Sequence, residues 1–194
     1  MIQCVFAVGD TDIHDIHYAF GRNGGLPWGR PIKQDMENFK NRTMGRFRTS
    51  AVVMGRNTFE SLPKALGLRY NVVVSTDTSK PTPKTKNGDQ PNMYVSVNND
   101  GELETLLRDL EKTHDLVSVI GGPSLIEKAI DFADRVIVTY VEHADSREFF
   151  EDYDVGFRKD TVFDVHCTFD KKEEHTYYLK DFVLCEAIYD KERS

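Results

Sequence analysis

The sequence predicts an α/β protein: a central, mixed and mostly parallel twisted sheet with flanking helices, closed by an antiparallel hairpin near the carboxyl end. Short runs rich in β-branched residues recur along the chain and are almost continuously apolar, as in strands covered on both faces. Between them lie stretches with apolar residues at three-and-four spacing, so strand and helix alternate. The alternation stops in the last quarter, where two β-rich runs flank a charged segment.

In order, strands are expected at 2–8, 50–54, 70–75, 93–97, 116–120 and 135–141, and helices at 32–43, 57–62, 101–112 and 124–133. In the first helix Ile32, Met36, Phe39 and Thr43 build one buried face. Asp35 lies on its flank, roughly 60° from the stripe's centre at 100° per residue. In the second, Asn57 with Glu60 three residues later has the spacing of a capping arrangement. Pro123, after Gly121 and Gly122, suits a helix start. The closing strands are expected at 162–167 and 176–189, joined by a turn at 170–175. Residues 80–92, KPTPKTKNGDQPN, read as a loop. With no repeat and no linker elsewhere, 194 residues fit a single domain over 1–194.

At 39% apolar and 29% charged residues the chain is not of a disordered class. A net charge of −7 argues against general affinity for nucleic acid. Asp10, Asp12 and Asp15 interrupt the first apolar segment, and no run of about 18 apolar residues occurs, so neither a secretory signal nor a membrane span is expected. Cys4, Cys167 and Cys185 are odd in number and far apart, which fits reduced thiols serving as core or strand fillers in the cytoplasm, with no metal site.

Three junctions could carry chemistry. Gly55, Arg56 and Asn57 join a strand end, a helix start and a guanidinium, which suits an anion and equally suits an ordinary helix start. Gly121 and Gly122 let a ligand approach the main chain at a strand's carboxyl end, or simply make a tight turn. Gly21, Gly24 and Gly25 precede Trp28 in a segment that reads as a mobile closing loop or a passive connection. Asp35, in a first helical turn, is favoured by the helix dipole whether or not it has a function.

Taken in order, these segments resemble the dihydrofolate reductases. The matching pieces are the apolar strand at 5–8, Leu26-Pro27-Trp28, Asp35 followed by Phe39 and Thr43, and MGRNTFESLP at 54–63. Arg69 leading a strand into Ser75-Thr76, VIGGP at 119–123, the strand ending at Thr139 and the closing hairpin complete the series. The extended Trp28-Gly29-Arg30 segment is similar to the form carried by T-even-type bacteriophages, which would place the protein in a host cytoplasm.

The resemblance implies NADPH-dependent reduction of 7,8-dihydrofolate to 5,6,7,8-tetrahydrofolate, supplying thymidylate and one-carbon metabolism. Asp35 would accept a paired hydrogen bond from the pterin, with Trp28 bonding around it through water and Thr139 directly. Val5, Phe6, Ala7, Met36, Phe39, Leu62, Leu66 and Ile120 match positions contacting substrate or nicotinamide. Arg69 matches the guanidinium that grips the α-carboxylate of the substrate's glutamate. For NADPH, Ala7 and Gly21 match positions beside the nicotinamide, Gly55, Arg56, Asn57 and Thr58 hold phosphates, and Ser75 and Thr76 flank the adenosine. Gly121 and Gly122 match a cis bond beside the cofactor, and Ser124 stands where relatives often put a base near the 2′-phosphate. Ile126 replaces a common Tyr, and Gly67-Leu68-Arg69 replaces Pro-Gly-Arg. The rival readings are a pyrimidine reductase of riboflavin biosynthesis and a non-catalytic nucleotide-binding component of a virus particle. The resemblance sets no oligomeric state.

Overall fold

The computed structural model describes residues 1–45 and 49–191. In chain order these form β1 (Ile2–Gly9), β2 (His17–Gly21), α1 (Lys33–Thr43), β3 (Ser50–Gly55), α2 (Arg56–Ser61), β4 (Tyr70–Ser75), β5 (Met93–Ser96) and α3 (Asp100–Glu111). There follow β6 (Leu116–Gly121), α4 (Pro123–Ile130), β7 (Arg135–His143), β8 (Val155–Arg158), α5 (Lys159–Thr168), β9 (Phe169–Tyr178) and β10 (Phe182–Lys191). They fall into two compact units, Met1–Val5 with Lys40–Asp134, and Phe6–Phe39 with the residues from Arg135 onward, so β1 and α1 contribute to both.

The first unit carries the parallel pairing, in the order β5-β4-β3-β6-β1. Its strands are apolar on both faces, with Ala51 to Met54 and Val72 to Val74 all buried. Helix α3 starts where the Asn99 side chain accepts from the Glu102 N–H at 2.9 Å, and it buries Leu103, Leu107 and Leu110 at helical spacing. Helix α4 opens on Pro123 and buries Ile126, Ala129 and Ile130. The expected Asn57 cap is absent: α2 begins at Arg56 with Gly55 as its cap and no capping side chain. Glu60 instead pairs with the Arg56 guanidinium at 2.9 Å, one helical turn back, so its carboxylate does not reach the backbone N–H groups. The 80–92 loop is tied to the segment after α2. Lys86 N–H donates to Leu62 O and Asn87 N–H to Pro63 O, both at 3.0 Å, while Asp89 accepts from Ala65 N–H at 2.9 Å.

In the second unit β10 pairs antiparallel with both β7 and β9, and β2 pairs antiparallel with β1 and β8. The pairing is thus mixed, as the sequence predicts. Ala19, Trp28, Ile32, Val141, Phe150 and Leu184 form a buried cluster here.

The closing segment departs from expectation in detail. The predicted strand at 162–167 is helix α5, which buries Val162 and Val165 three residues apart. The predicted charged turn at 170–175 is the body of β9, the last strand in the order, with its charged side chains exposed. Charge on an outer strand is a common protection against further pairing. The actual turn follows Tyr178, where Leu179 N–H donates to Phe182 O at 2.9 Å. Strands β2 and β8 were not expected at all. Among the cysteines Cys4 is buried and Cys185 half-buried, but Cys167 is exposed on α5 and fills neither core nor strand. All three are free thiols.

Candidate functional site

In the second unit α1 positions Asp35, and its buried face is rotated from the expected one. Ile32, Asp35, Asn38 and Thr43 are buried, whereas Met36 is 44% exposed and Phe39 is half-buried. Ile32 belongs to the cluster with Trp28, Val141 and Leu184, and a step of three residues from it carries Asp35 to the same side. Asp35 therefore lies in the buried stripe rather than beside it, at 7% exposure. Thr139 on β7 and Glu186 on β10 are direct register partners, 5% and 2% exposed. Burial, and after it the charge of Glu186, push the Asp35 carboxyl up from 3.8 to about 6.

The Trp28 indole N–H is buried without a partner among the described residues, a donor left available at depth. Phe6 alternates away from Val5 and Ala7 and stacks on Phe157 at 4.6 Å, so its ring serves packing. Gly21 ends β2 and accepts from Asp154 N–H at 3.0 Å. The turn after it is held: Asn23 and Gly24 take φ of 50° and 69° between the bridged pair Arg22 and Gly25, and Asp154 accepts from Asn23 N–H at 2.8 Å.

In the first unit Ser75, Gly55 and Gly121 end the adjacent parallel strands β4, β3 and β6, a row of carboxyl ends of the kind where α/β proteins bind ligands. The Gly121-Gly122 peptide is cis, and Gly121 takes a φ of 152°, closed to most side chains. Gly122 caps α4 without a side-chain bond. A Cβ on Gly122 would meet Thr58 Oγ1 at 3.8 Å, and one on Gly55 would meet Gly122 N at 3.8 Å. Arg56 is braced by Glu60 and by donating to Pro81 O at 2.7 Å and to the Tyr94 hydroxyl at 3.2 Å. Ser75 Oγ bonds both to Asp77 O at 3.0 Å and from Asp77 N–H at 3.1 Å, while Asn57, Thr76 and Ser124 are exposed. Open main chain, a cationic fork and hydroxyls along one edge fit a nucleotide with phosphates, and so fit NADPH.

Arg69 is half-buried, and burial lowers its pKa. It donates to Thr43 Oγ1 at 2.7 Å and to Gly67 O at 3.2 Å. Leu68 before it has a φ of 62°, the conformation a glycine adopts freely. Leu68 thus stands in for the glycine of Pro-Gly-Arg, which supports the register of Arg69. Leu62 and Leu66 are half-buried, and Val5 and Ile120 are buried. Among the described residues no group of three or more His, Cys, Asp or Glu could hold a metal ion.

The residues that sequence reading missed are Glu186, Tyr94 and the Thr43 partner of Arg69. Glu186 had a visible signal, a lone carboxylate inside the apolar run VLCEAIY.

A parallel sheet with glycines and an arginine along its carboxyl edge defines an α/β protein of nucleotide-binding type. The chain belongs to the dihydrofolate reductase family: a family profile described as Dihydrofolate reductase matches residues 12–183. It is 36% identical to the dihydrofolate reductase type 9 of Escherichia coli over 122 residues, 63% of each chain, so the match spans just under two thirds of that relative. It is 29% identical to the type 8 enzyme of Escherichia coli over 161 residues, covering 79% of this chain and 89% of the other. It is 31% identical to a dihydrofolate reductase of Staphylococcus aureus over 130 residues, 66% and 67% of the two chains. A solved dihydrofolate reductase from Enterococcus faecalis, complexed with NADP(H) and RAB-propyl, shares the fold with a TM-score of 0.68 at 17% identity, over 100% of this chain and 97% of that one.

Proposed function

We propose that the chain reduces 7,8-dihydrofolate to 5,6,7,8-tetrahydrofolate with NADPH, supplying thymidylate and one-carbon metabolism. The observation that carries this reading is Asp35, a carboxylate buried on α1 with its pKa pushed up to about 6, which the order of sequence motifs assigns to the pterin. Ionised at neutral pH, it accepts paired hydrogen bonds from the pterin's 2-amino group and ring nitrogen 3. It orients and polarises the ring; the proton for nitrogen 5 comes from water. Thr139 steadies the carboxylate directly, and the Trp28 indole N–H reaches it through water.

In the second unit Met36 and Phe39, only partly covered by the chain, offer apolar surface to the pterin and benzoyl rings, with Ala7 beside the nicotinamide and Phe6 held by its stacking on Phe157. In the first unit Val5, Leu62, Leu66 and Ile120 supply the other apolar positions that the resemblance assigns to substrate or nicotinamide. Arg69, oriented by Thr43, clamps the α-carboxylate of the glutamate tail. NADPH, when bound, supplies the hydride. Gly55, Arg56, Asn57 and Thr58 hold its phosphates, Ser75, Thr76 and Ser124 its adenosine end, and Ala7, Gly21, Gly121 and Gly122 its nicotinamide end. The protein's contribution is placement and charge.

A cytoplasmic location fits three free thiols and the lack, among the described residues, of a helix long and apolar enough to cross a membrane. The net charge of −7 favours small-molecule partners over nucleic acid. The test is NADPH oxidation by the purified chain with dihydrofolate. No dihydrofolate-dependent oxidation, or oxidation only with the pyrimidine intermediate of riboflavin synthesis, overturns the reading.

A further inference from the structure

Arg56 is held by more than an arginine at a helix start needs. In the first unit β4 lies between β3 and β5, so Arg56, just past the end of β3, and Tyr94, on β5, stand two strands apart. At about 4.8 Å between neighbouring strands that is a separation of about 9.6 Å. Their side chains nevertheless meet, with Arg56 Nη1 donating to the Tyr94 hydroxyl at 3.2 Å. The contact therefore passes across the carboxyl end of β4.

The same two side chains clasp the segment that leaves β4. The Tyr94 hydroxyl donates to Asp77 O at 3.0 Å, and Arg56 Nη1 donates to Pro81 O at 2.7 Å. Within the segment Ser75 Oγ accepts from Asp77 N–H at 3.1 Å, and the Asp77 carboxylate accepts from Ser79 N–H at 3.0 Å. A guanidinium has five N–H donors in a planar fork. Nε faces Glu60 Oε1 at 2.9 Å, and the two N–H groups of Nη1 serve Pro81 O and Tyr94. Among the described residues Nη2 has no partner. An i,i+4 pair with Glu60 alone would be weak and mobile. The two further holds lie outside α2 and remove in advance the rotamer freedom that gripping a ligand otherwise costs.

We propose that Tyr94 is a positioning residue for cofactor selectivity: with the Pro81 carbonyl, its hydroxyl fixes the Arg56 guanidinium at the end of β3 and leaves Nη2 as a preset donor for the 2′-phosphate of NADPH. Tyr94 acts through Arg56, because its own proton is spent on Asp77 O. Glu60 occupies the Nε edge, and its charge keeps a phosphate from that side. The segment following β4, through Pro81, thereby becomes part of the cofactor edge. The proposal rests on Arg56 serving the 2′-phosphate.

The experiment measures the dissociation constants of NADPH and NADH by calorimetry, without turnover, for wild type, Tyr94→Phe, Arg56→Ala and the double variant. Tyr94→Phe keeps the ring and removes one hydrogen-bonding group, so NADPH is weakened roughly three- to tenfold while NADH changes by less than about twofold. In the Arg56→Ala background the same substitution has no further effect on NADPH. Equal weakening of both cofactors by Tyr94→Phe, or of neither, overturns the proposal. A full additional loss in the Arg56→Ala background also overturns it, since the hydroxyl would then act on the phosphate itself. If Tyr94→Phe does not fold, NMR of the cofactor-free wild type decides. Separate Nη proton signals for Arg56 support a held guanidinium, and a single averaged signal overturns it. A selective loss in Arg56→Ala with none in Tyr94→Phe overturns this proposal alone. Equal losses of NADPH and NADH in Arg56→Ala overturn the phosphate role of Arg56, and the proposal with it.

Discussion

Replacing Asp35 with Asn separates what the site needs from what the fold prefers. The carboxyl is raised from 3.8 to about 6, chiefly by burial, at 7% exposure. At 1.36 kcal/mol per pH unit this difference corresponds to about 3 kcal/mol. Because the folded pKa lies above the unfolded one, the stability linked to the proton on Asp35 is fully present below about pH 3.8 and is lost as pH rises through about 6. Above that value the folded protein carries an ionised, desolvated carboxylate at a cost of about 3 kcal/mol, which a neutral amide of the same shape does not incur. Asp35→Asn is therefore expected to be more stable than wild type by about 3 kcal/mol near pH 8, or roughly 6–12 °C in Tm, with the gain fading toward pH 4. Turnover at neutral pH should fall by orders of magnitude and recover partly at low pH, where more substrate is already protonated. Urea unfolding at both pH values, with NADPH oxidation on the same samples, measures both effects. A variant no more stable than wild type near pH 8 refutes the burial argument, and near-normal turnover refutes the role of the charge.

Arg69→Lys should raise the KM for dihydrofolate strongly while a pterin lacking the glutamate tail is reduced as well as by wild type, because an ammonium cannot replace the two-pronged fork. Equal slowing with the tail-less pterin would make Arg69 structural. Arg56→Ala should weaken NADPH more than NADH by about 1.5–3 kcal/mol, read from the two dissociation constants, since it removes a charged hydrogen bond to the 2′-phosphate. Equal losses would instead assign Arg56 to its braces, Glu60, Tyr94 and Pro81. Leu68→Gly should stabilise the fold by roughly 0.5–1 kcal/mol, because relief of the left-handed backbone exceeds the entropy glycine adds to the unfolded chain. Leu68 is 56% exposed and loses little packing, so a lower urea midpoint would count against the backbone argument.

How much of this was legible in the sequence depends on how strongly each segment was patterned. Strands β3, β4 and β6 are continuous apolar runs, and their observed bounds differ from the expected ones by a residue or less. Helix α5 was misread because Val162 and Val165 are β-branched, although their spacing is helical. Strand β9 was misread because almost all of its side chains face water, which leaves no alternation to detect. Strands β2 and β8, five and four residues long, owe their pairing to each other and to β1 rather than to any local pattern. At the candidate site, the order of motifs singled out Asp35 and Arg69 as candidates, but periodicity put Met36 in the core. The pattern counts apolar residues, and here a carboxylate occupies the buried stripe.

That substitution of polar for apolar is not isolated. Asp35 in a buried helix face, Glu186 in an apolar strand row, the Trp28 N–H without a partner among the described residues and Leu68 in a left-handed turn each break a local rule. Violations of this sort lower stability and persist where something other than stability is selected. Three of the four, Asp35, Glu186 and Trp28, lie in the second unit, and the fourth precedes Arg69 in the first. The same kinds of break also occur at Asn38, Ser50 and Asn23, so a broken local rule marks a candidate only where the order of motifs points to the same residue.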